Sequence, residues 1–470
     1  MSETSKPFER YLLLYLPWAL AAVFRDETVL SYFTAWLGSF FIFYISYSGW
    51  IKPLPKDRPI AEQLMRPIFL VQIIFVGYMA CSSIFYFLDL LGVDEPEESK
   101  LFFHVDSTKL ALTAQCQRYY VLGHAAFTTG ILAMMKYPIE KKFKVDNLKL
   151  ANILMMIAII FLPLSSVALY INGLSQFSGQ FGSLSFIAGT LALAFAIPLN
   201  KVFNTLFCLF LYFVNFYQAL TSGFKEPIII SVLVLGIFLY PSYKKVVTLT
   251  FIPALLVLFA LLPTYNSVFR SNAWSDNVAS EDAYKIALDA ALNGDEDLKD
   301  ETTWGFLVYR LSEINMFTTF VQSTPEYIDF YGFQLIEQSV TSVIPRVFWP
   351  SKPIIESMVM ERVYNAGVAY RGSNVSAKPA YIVDGYLSGG TIGIILALFI
   401  YGAAAQLISQ KAEQLFGGYI LGTALIFTGL FQIFWRGLSF EFLLNSVFWS
   451  YVTMIVLHRV LKRRNILEEI

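Results

Sequence analysis

The chain has 470 residues, of which 56% are hydrophobic and 15% charged, and its formal net charge is -1. Soluble domains carry about 25% charged residues. A soluble chain as apolar as this one would expose large hydrophobic patches to water. The composition excludes an ordinary soluble domain and predicts an integral membrane protein.

Long apolar runs recur along the chain. A run of roughly 17 to 25 residues can cross the hydrocarbon core as a helix. The runs therefore predict an all-α, polytopic transmembrane helix bundle with about 12 spans. In chain order the predicted spans are 8–24, 29–50, 67–91, 118–135, 150–171, 183–199, 203–222, 227–242, 247–265, 387–408, 417–435 and 441–458.

Lysine and arginine residues cluster after the second, fourth, eighth and last predicted spans. If the spans alternate in direction, all these clusters lie on one side, which the positive-inside rule predicts to be cytoplasmic. Both termini are then expected on the cytoplasmic side of the membrane. The clusters are Lys52, Lys56, Arg58 and Arg66; Lys136, Lys141, Lys142, Lys144 and Lys149; Lys244 and Lys245; and Arg459, Lys462, Arg463 and Arg464.

The connection 266–386 is far longer than the others and is predicted to be a large loop on the outer face, which is the periplasmic face in the family whose resemblance is described below. It separates spans 1–9 in 1–265 from spans 10–12 and a short cytoplasmic tail in 387–470. A helix is predicted at 281–292, and apolar residues at helical spacing predict a second at 304–321. Three prolines predict an irregular, rigid turn over 345–355.

The segment IPRVFWPSKP, residues 344–353, carries the strongest local signal. Arg346 and Lys352 place two cations on the rigid turn, and Trp349 suits the headgroup level. Arginine binds phosphate oxygens bidentately, and lysine adds a point charge. The segment therefore indicates either a docking site for a lipid-linked pyrophosphate or an interfacial loop that contacts ordinary anionic lipids.

Other charged residues are candidates on the same outer side. Arg310 could be a pyrophosphate contact with Glu313 as a base, or the two could form a surface pair. Asp384 could accept a proton from a sugar hydroxyl or could cap the tenth span. Arg436 is a functional candidate with Glu441 as a possible partner, or it snorkels to headgroups.

Three further cations complete the predicted substrate-binding set. Lys225 could extend the cationic ring or pair with Glu226, and Arg362 and Arg371 lie in the basic part of the long loop. The three cysteines and three histidines show no metal-ligand spacing, and no nucleotide-binding motif is evident. No metal, cofactor or nucleic-acid partner is predicted.

These motifs resemble those of the Wzy-like oligosaccharide repeat-unit polymerases, the O-antigen polymerase group of bacterial inner membranes. IPRVFWPSKP resembles that family's proline-rich loop, and RLSEINMF, from Arg310, resembles the arginine-led helix upstream of it. KPAYIVDGYLSGGTIGIIL, from Lys378, and FWRGLSFEF resemble later elements, and SGFKEPIII stands in the place of an earlier one. The resemblance covers about 220–450, with Lys225 where arginine is more usual.

The resemblance implies a glycosyltransferase that moves a growing glycan from undecaprenyl pyrophosphate onto a lipid-linked repeat unit at the periplasmic membrane face. It implies Arg310, Arg346, Lys352 and Arg436 as pyrophosphate contacts and Asp384 or Glu313 as the base. The expected partners are the lipid-linked oligosaccharide, membrane lipids, a chain-length regulator and a flippase. An O-antigen ligase and a transporter or flippase of lipid-linked sugars are the alternatives.

Overall fold

The fold is described from a computed structural model. It describes residues 8–58, 63–93, 103–171, 173–221, 226–240, 242–275, 278–373, 376–427, 429–430 and 438–470. The described chain is predominantly helical, so the all-α class is confirmed.

Helices form where the long apolar runs occur in the amino-terminal half. A 3₁₀ turn at Leu13–Tyr15 joins the first two helices, and a π-helical stretch at Phe75–Cys81 separates the helices Pro67–Ile74 and Ser83–Leu90. The helices are α1 (Glu9–Leu12), α2 (Leu16–Val23), α3 (Thr28–Tyr47), α4 (Pro67–Ile74), α5 (Ser83–Leu90), α6 (Ser107–Met134), α7 (Asn147–Tyr170), α8 (Ser178–Ala196), α9 (Val202–Thr221), α10 (Glu226–Leu239) and α11 (Lys244–Arg270).

The rest of the chain contains the shorter helices of the long loop and then the last apolar helices. The loop helices are α12 (Ser280–Asn293), α13 (Glu296–Tyr309), α14 (Ile314–Ser323), α15 (Gln334–Val343) and α16 (Ile355–Asn365). The last apolar helices are α17 (Tyr381–Leu415), α18 (Tyr419–Phe427) and α19 (Phe440–Arg463).

Within the described residues, seven helices are long and apolar enough to cross a membrane: α3, α7, α8, α9, α11, α17 and α19. Other predicted spans fall on shorter or interrupted helices, such as α10 and the stretch from α4 to α5. The prediction of about 12 spans is therefore not confirmed.

Helix α6 occupies the centre of the bundle and packs closely against α17. A Cβ atom added at Gly130 would contact the carbonyl oxygen of Phe399, and one added at Gly402 would contact that of Phe127. Small residues allow helix backbones to approach in this way. The contact holds the amino-terminal third of the chain to its carboxy-terminal part.

Several of the cation-rich connections meet on one face. Arg58 donates to both carboxylate oxygens of Glu413, at 2.8 and 2.9 Å. The two-residue strands β1 (Phe143–Lys144) and β2 (Glu468–Glu469) pair antiparallel. The connections after the second and fourth predicted spans therefore lie beside the end of α17 and the carboxy terminus.

Two predictions for the long loop are confirmed and one is wrong. A helix covers 281–292, within α12, and the chain between Val343 and Ile355 is irregular. The predicted helix 304–321 is interrupted, because α13 ends at Tyr309 and α14 begins at Ile314. Arg310 and Glu313 therefore lie in the break rather than on one helical face.

Helix α17 is two helices that turn back on each other at Gly389 and Gly390, where the backbone is not helical. Gly385 and Gly393 face each other in contact, and the rings of Tyr381 and Tyr401 lie 5.4 Å apart. Residues 381–388 thus form a short helix antiparallel to the long part of α17. Asp384 was expected just before the tenth span, but it lies on this folded-back helix, alongside the long one.

Candidate functional site

A cavity of about 760 Å³ lies between the end of α11, helix α13, the break before α14, Val368 and residues 376–378. Its size is typical of a ligand pocket. The lining residues are Pro263, Asn266, Ser267, Arg270, Glu301, Thr302, Gly305, Phe306, Tyr309, Arg310, Ser312, Glu313, Asn315, Met316, Val368, Ser376, Ala377 and Lys378.

The break between α13 and α14 forms part of the cavity wall. The hydroxyl oxygen of Ser312 accepts a hydrogen bond from the backbone N–H of Ile314 at 3.2 Å, so it pairs the first N–H group of the new helix. Tyr86 donates to the Asn315 side chain at 3.0 Å, and Ser82 donates to the carbonyl oxygen of Leu311 at 3.3 Å. These bonds tie the break to the apolar helices beneath it.

Helix α13 is fixed on two sides. Trp304 and Tyr309 donate to the two carboxylate oxygens of Asp89, at 3.1 and 3.2 Å. The hydroxyl oxygens of Thr302 and Thr264 lie 2.8 Å apart, which joins α13 to α11. These bonds fix the position of α13 and therefore of the side chains that it contributes to the cavity.

Three cations and two acids line the cavity. Arg270 extends from the end of α11, Arg310 from the break, and Lys378 from the segment before α17, while Glu301 and Glu313 are the acids. Arg270 and Arg310 are near enough for their positive charges to repel each other. An anion with two or more charges bound between them would relieve this repulsion.

Sequence reasoning missed Arg270 and Lys378 as site residues. Arg270 lies five residues beyond the predicted end of the ninth span, and nothing local distinguishes it from a flanking cation. Lys378 makes a 3.4 Å ion pair with Glu356 and lies 5.1 Å from the ring of Phe442, so its position depends on distant parts of the chain. The motif that begins at Lys378 was the one available signal.

The cations of the proline-rich turn bind the turn's own backbone. The Lys352 ammonium group donates to the carbonyl oxygens of Ser342 at 2.6 Å and Ile344 at 2.8 Å. Arg346 donates to the carbonyl oxygens of Lys352 at 2.9 Å and Pro353 at 3.1 Å. Neither residue lines the cavity.

Lys352 is 4% exposed, and the pKa of its ammonium group is lowered first by burial and then by the charge of Arg346. Its two carbonyl partners lie at the end of α15, where unpaired carbonyl groups and the helix dipole favour a cation. Trp349 is 36% exposed and donates to the Ser351 hydroxyl group at 3.1 Å. The turn is thus stabilised by the residues that were expected to bind substrate.

Arg362, Asp384 and Glu441 form a buried ion cluster. Arg362 donates to the two carboxylate oxygens of Glu441 at 2.7 and 2.8 Å and to Asp384 at 2.9 Å. The backbone N–H of Phe440 also donates to Asp384, at 2.8 Å. Burial alone lowers the pKa of Arg362, but the two carboxylates outweigh it and the net shift is upward.

The remaining described candidates lie outside the cavity. Arg371 makes an exposed, bidentate ion pair with Glu361, with hydrogen bonds of 2.7 and 2.5 Å. Glu441 was one of the two alternatives for Arg436, as its possible partner, but the Glu441 carboxylate binds Arg362. Arg436 and Lys225 lie outside the described residues. Of the predicted site residues that the structure describes, the cavity brings together Arg310 and Glu313.

The comparison with family models places the chain in a family. The model described as "Domain of unknown function (DUF8712)" matches residues 16–469, so the chain belongs to the DUF8712 family. No curated protein and no solved structure matches the chain.

Proposed function

We propose that this DUF8712 protein is a polysaccharide polymerase. It transfers a growing glycan from undecaprenyl pyrophosphate to a lipid-linked repeat unit at the periplasmic face of a bacterial inner membrane. The observation that supports the proposal is the cavity where Arg270, Arg310 and Lys378 line the same space as Glu313. A diphosphate leaving group requires cations, and a hydroxyl nucleophile requires a base.

The position of the cavity supports a substrate held by a lipid. The wall on α11 runs from Pro263 to Arg270, which at 1.5 Å per residue is about 10 Å along an apolar helix. A ligand in the cavity would therefore lie at the outer end of the apolar helix α11, from Pro263, just inside the predicted span 247–265, to Arg270 beyond it. A lipid-linked sugar diphosphate has this combination of charged head and apolar tail.

The proposed reaction is a displacement at the anomeric carbon of the donor glycan. The acceptor hydroxyl oxygen forms a bond to the anomeric carbon of the donor glycan, and the bond from that carbon to the pyrophosphate oxygen breaks. Glu313 accepts the hydroxyl proton. The pyrophosphate leaves with the bonding electron pair, and Arg270, Arg310 and Lys378 stabilise its negative charge.

The proposal assigns a supporting role to four other predicted residues. Arg346 and Lys352 hold the proline-rich turn, and Arg362 and Asp384 hold the buried cluster. Arg436 stays in the proposal as a predicted pyrophosphate contact, and Lys225 as a predicted substrate-binding cation.

The expected orientation belongs to the same proposal. The meeting of Arg58, Lys144 and the carboxy terminus on one face supports a single cytoplasmic side with both termini on it. The cavity at the carboxy-terminal end of α11, which begins at Lys244, then faces the periplasm.

The deciding experiment supplies the purified protein in liposomes with its lipid-linked repeat unit and with lipid A core as a second acceptor. Products are separated by length on a gel. Glycan chains that lengthen on the lipid carrier support the proposal. Transfer that occurs only to lipid A core identifies a ligase instead. Movement of the lipid-linked sugar across the bilayer without any new glycosidic bond identifies a transporter.

A further inference from the structure

Helix α15 has three distinct sides. Leu335, Ser339 and Ser342 are buried. The exposed side is divided lengthwise, because one flank carries apolar side chains and the other carries polar ones. The apolar flank consists of Phe333 just before the helix, Ile336 and Val340; the polar flank consists of Gln334 and Glu337, with the half-buried Thr341 beside them.

The buried side of α15 packs against the first turns of α19. Ser342 donates to the carbonyl oxygen of Glu441 at 2.8 Å, and Trp449 donates from its indole nitrogen to the carbonyl oxygen of Val343 at 3.0 Å. Helix α19 is long and apolar enough to span a membrane, and its own Phe448 is 43% exposed. Helix α15 therefore lies beside a surface that lipid would cover.

The apolar flank continues into the proline-rich turn. Phe333 is 79% exposed, Val340 56%, Val347 52% and Phe348 80%. Val347 also contacts Gly173, close after the end of the apolar helix α7. These side chains form one apolar strip at the ends of two helices able to span a membrane.

The cations of the turn do not interrupt this strip. Lys352 is turned inward onto the end of α15, and Arg346 is bonded to the backbone of the turn. A helix with one apolar and one polar exposed flank is the arrangement found where a helix lies in the plane of a membrane interface. The exposed aromatic ring of Phe348 is also suited to that depth.

We propose that α15 and the proline-rich turn lie within the interface of the bilayer leaflet on the cavity's side, with Phe333, Ile336, Val340 and Phe348 among the acyl chains. The occupant of the strip is membrane lipid. The polar flank with Glu337 then faces the headgroups and water. This inference does not depend on the chemistry assigned to the cavity, and it holds for a ligase or a transporter as well.

Site-directed spin labelling tests the proposal in the full-length protein. Cys81, Cys116 and Cys208 are replaced, and single cysteines are introduced as Ile336→Cys, Val340→Cys and Phe348→Cys on the strip. The matched controls, Gln334→Cys and Glu337→Cys, lie on the same helix but on its other flank. Labelled protein is reconstituted in liposomes of phosphatidylethanolamine and phosphatidylglycerol.

Collision rates with oxygen, which concentrates in lipid, and with a water-soluble nickel chelate are then measured by power saturation. We expect the strip labels to collide severalfold more with oxygen than with the chelate and the control labels to show the reverse. Equal exposure of both flanks to the chelate would overturn the proposal. Strip labels shielded from both reagents would also overturn it, since they would indicate packing against a second copy or another protein.

Discussion

The guanidinium group of Arg362 binds both carboxylate oxygens of Glu441, at 2.7 and 2.8 Å, and so joins the long loop to the last long helix. Asp384 completes the cluster, and the three side chains are at most 2% exposed. Such a cluster is costly to leave half-formed, because an unpaired buried charge has neither water nor a partner.

Arg362→Met is therefore expected to destabilise the protein strongly, by about 3–5 kcal/mol, since it leaves two buried carboxylates facing each other. The effect is measured as the melting temperature in detergent, which is determined by size-exclusion chromatography of samples heated to a series of temperatures. Arg371→Met removes a similar ion pair at the exposed Glu361 and should leave the melting temperature unchanged. Equal losses in both variants would contradict the assigned burial.

Lys352→Met removes two charge-assisted hydrogen bonds from the end of α15. We expect a loss of stability of about 2 kcal/mol, because the carbonyl groups of Ser342 and Ile344 lose their buried cation. Lys285→Met, on the exposed surface of α12, is the control and should melt like the parent protein. If Lys352→Met melted normally but no longer bound a lipid pyrophosphate, the residue would be a substrate contact as first predicted.

Gly393→Ala tests the folded-back helix at the start of α17. A Cβ atom at Gly393 would meet the carbonyl oxygen of Gly385, so the two antiparallel helices must separate. Overpacking of this kind costs about 1–3 kcal/mol. Gly389→Ala is the matched control, since no atom lies within 4 Å of its added Cβ, and a thermal melt of both variants decides.

The apolar runs and the proline spacing were sufficient to predict the positions of many helices and of the irregular turn after α15. Helices lie where the runs are long, and three prolines within nine residues left no helix between Val343 and Ile355. The break at 310–313 could not be read in the same way, because the apolar stripe of Leu307, Leu311 and Ile314 continues through it. The paired glycines at 389 and 390 were a visible signal for the turn in α17.

The hydrogen-bond and ion-pair partners of the charged residues could not be predicted from local sequence patterns. Arg362 lies 79 residues from Glu441 and 22 from Asp384, so only the packed fold brings them together. Lys352 carries the same charge whether it binds a phosphate or the backbone of its own turn. A cation in a motif therefore predicts that a negatively charged or hydrogen-bond-accepting group lies beside it. The tertiary structure determines which group that is.

Arg310→Ala is expected to reduce the initial rate of glycan extension by about 10²–10³-fold, because it removes a donor to the leaving pyrophosphate. Arg270→Ala should behave similarly, and Arg371→Ala, outside the cavity, should keep the parent rate. Extension is measured with lipid-linked repeat unit in liposomes at matched protein amounts. Full activity in the first two variants would remove the cavity from the mechanism.

Glu313→Gln separates the two carboxylates proposed as the base. The amide keeps the shape of the side chain but cannot accept the acceptor's proton, so kcat should fall by about 10²–10⁴-fold while KM changes little. Asp384→Asn should instead lower the melting temperature, since Asp384 accepts hydrogen bonds from Arg362 and the backbone of Phe440 in a site without solvent. If Asp384→Asn kept its melting temperature but lost extension, and Glu313→Gln stayed active, the base would be Asp384. The catalytic site would then be at the folded-back helix of α17 rather than in the cavity beside α11.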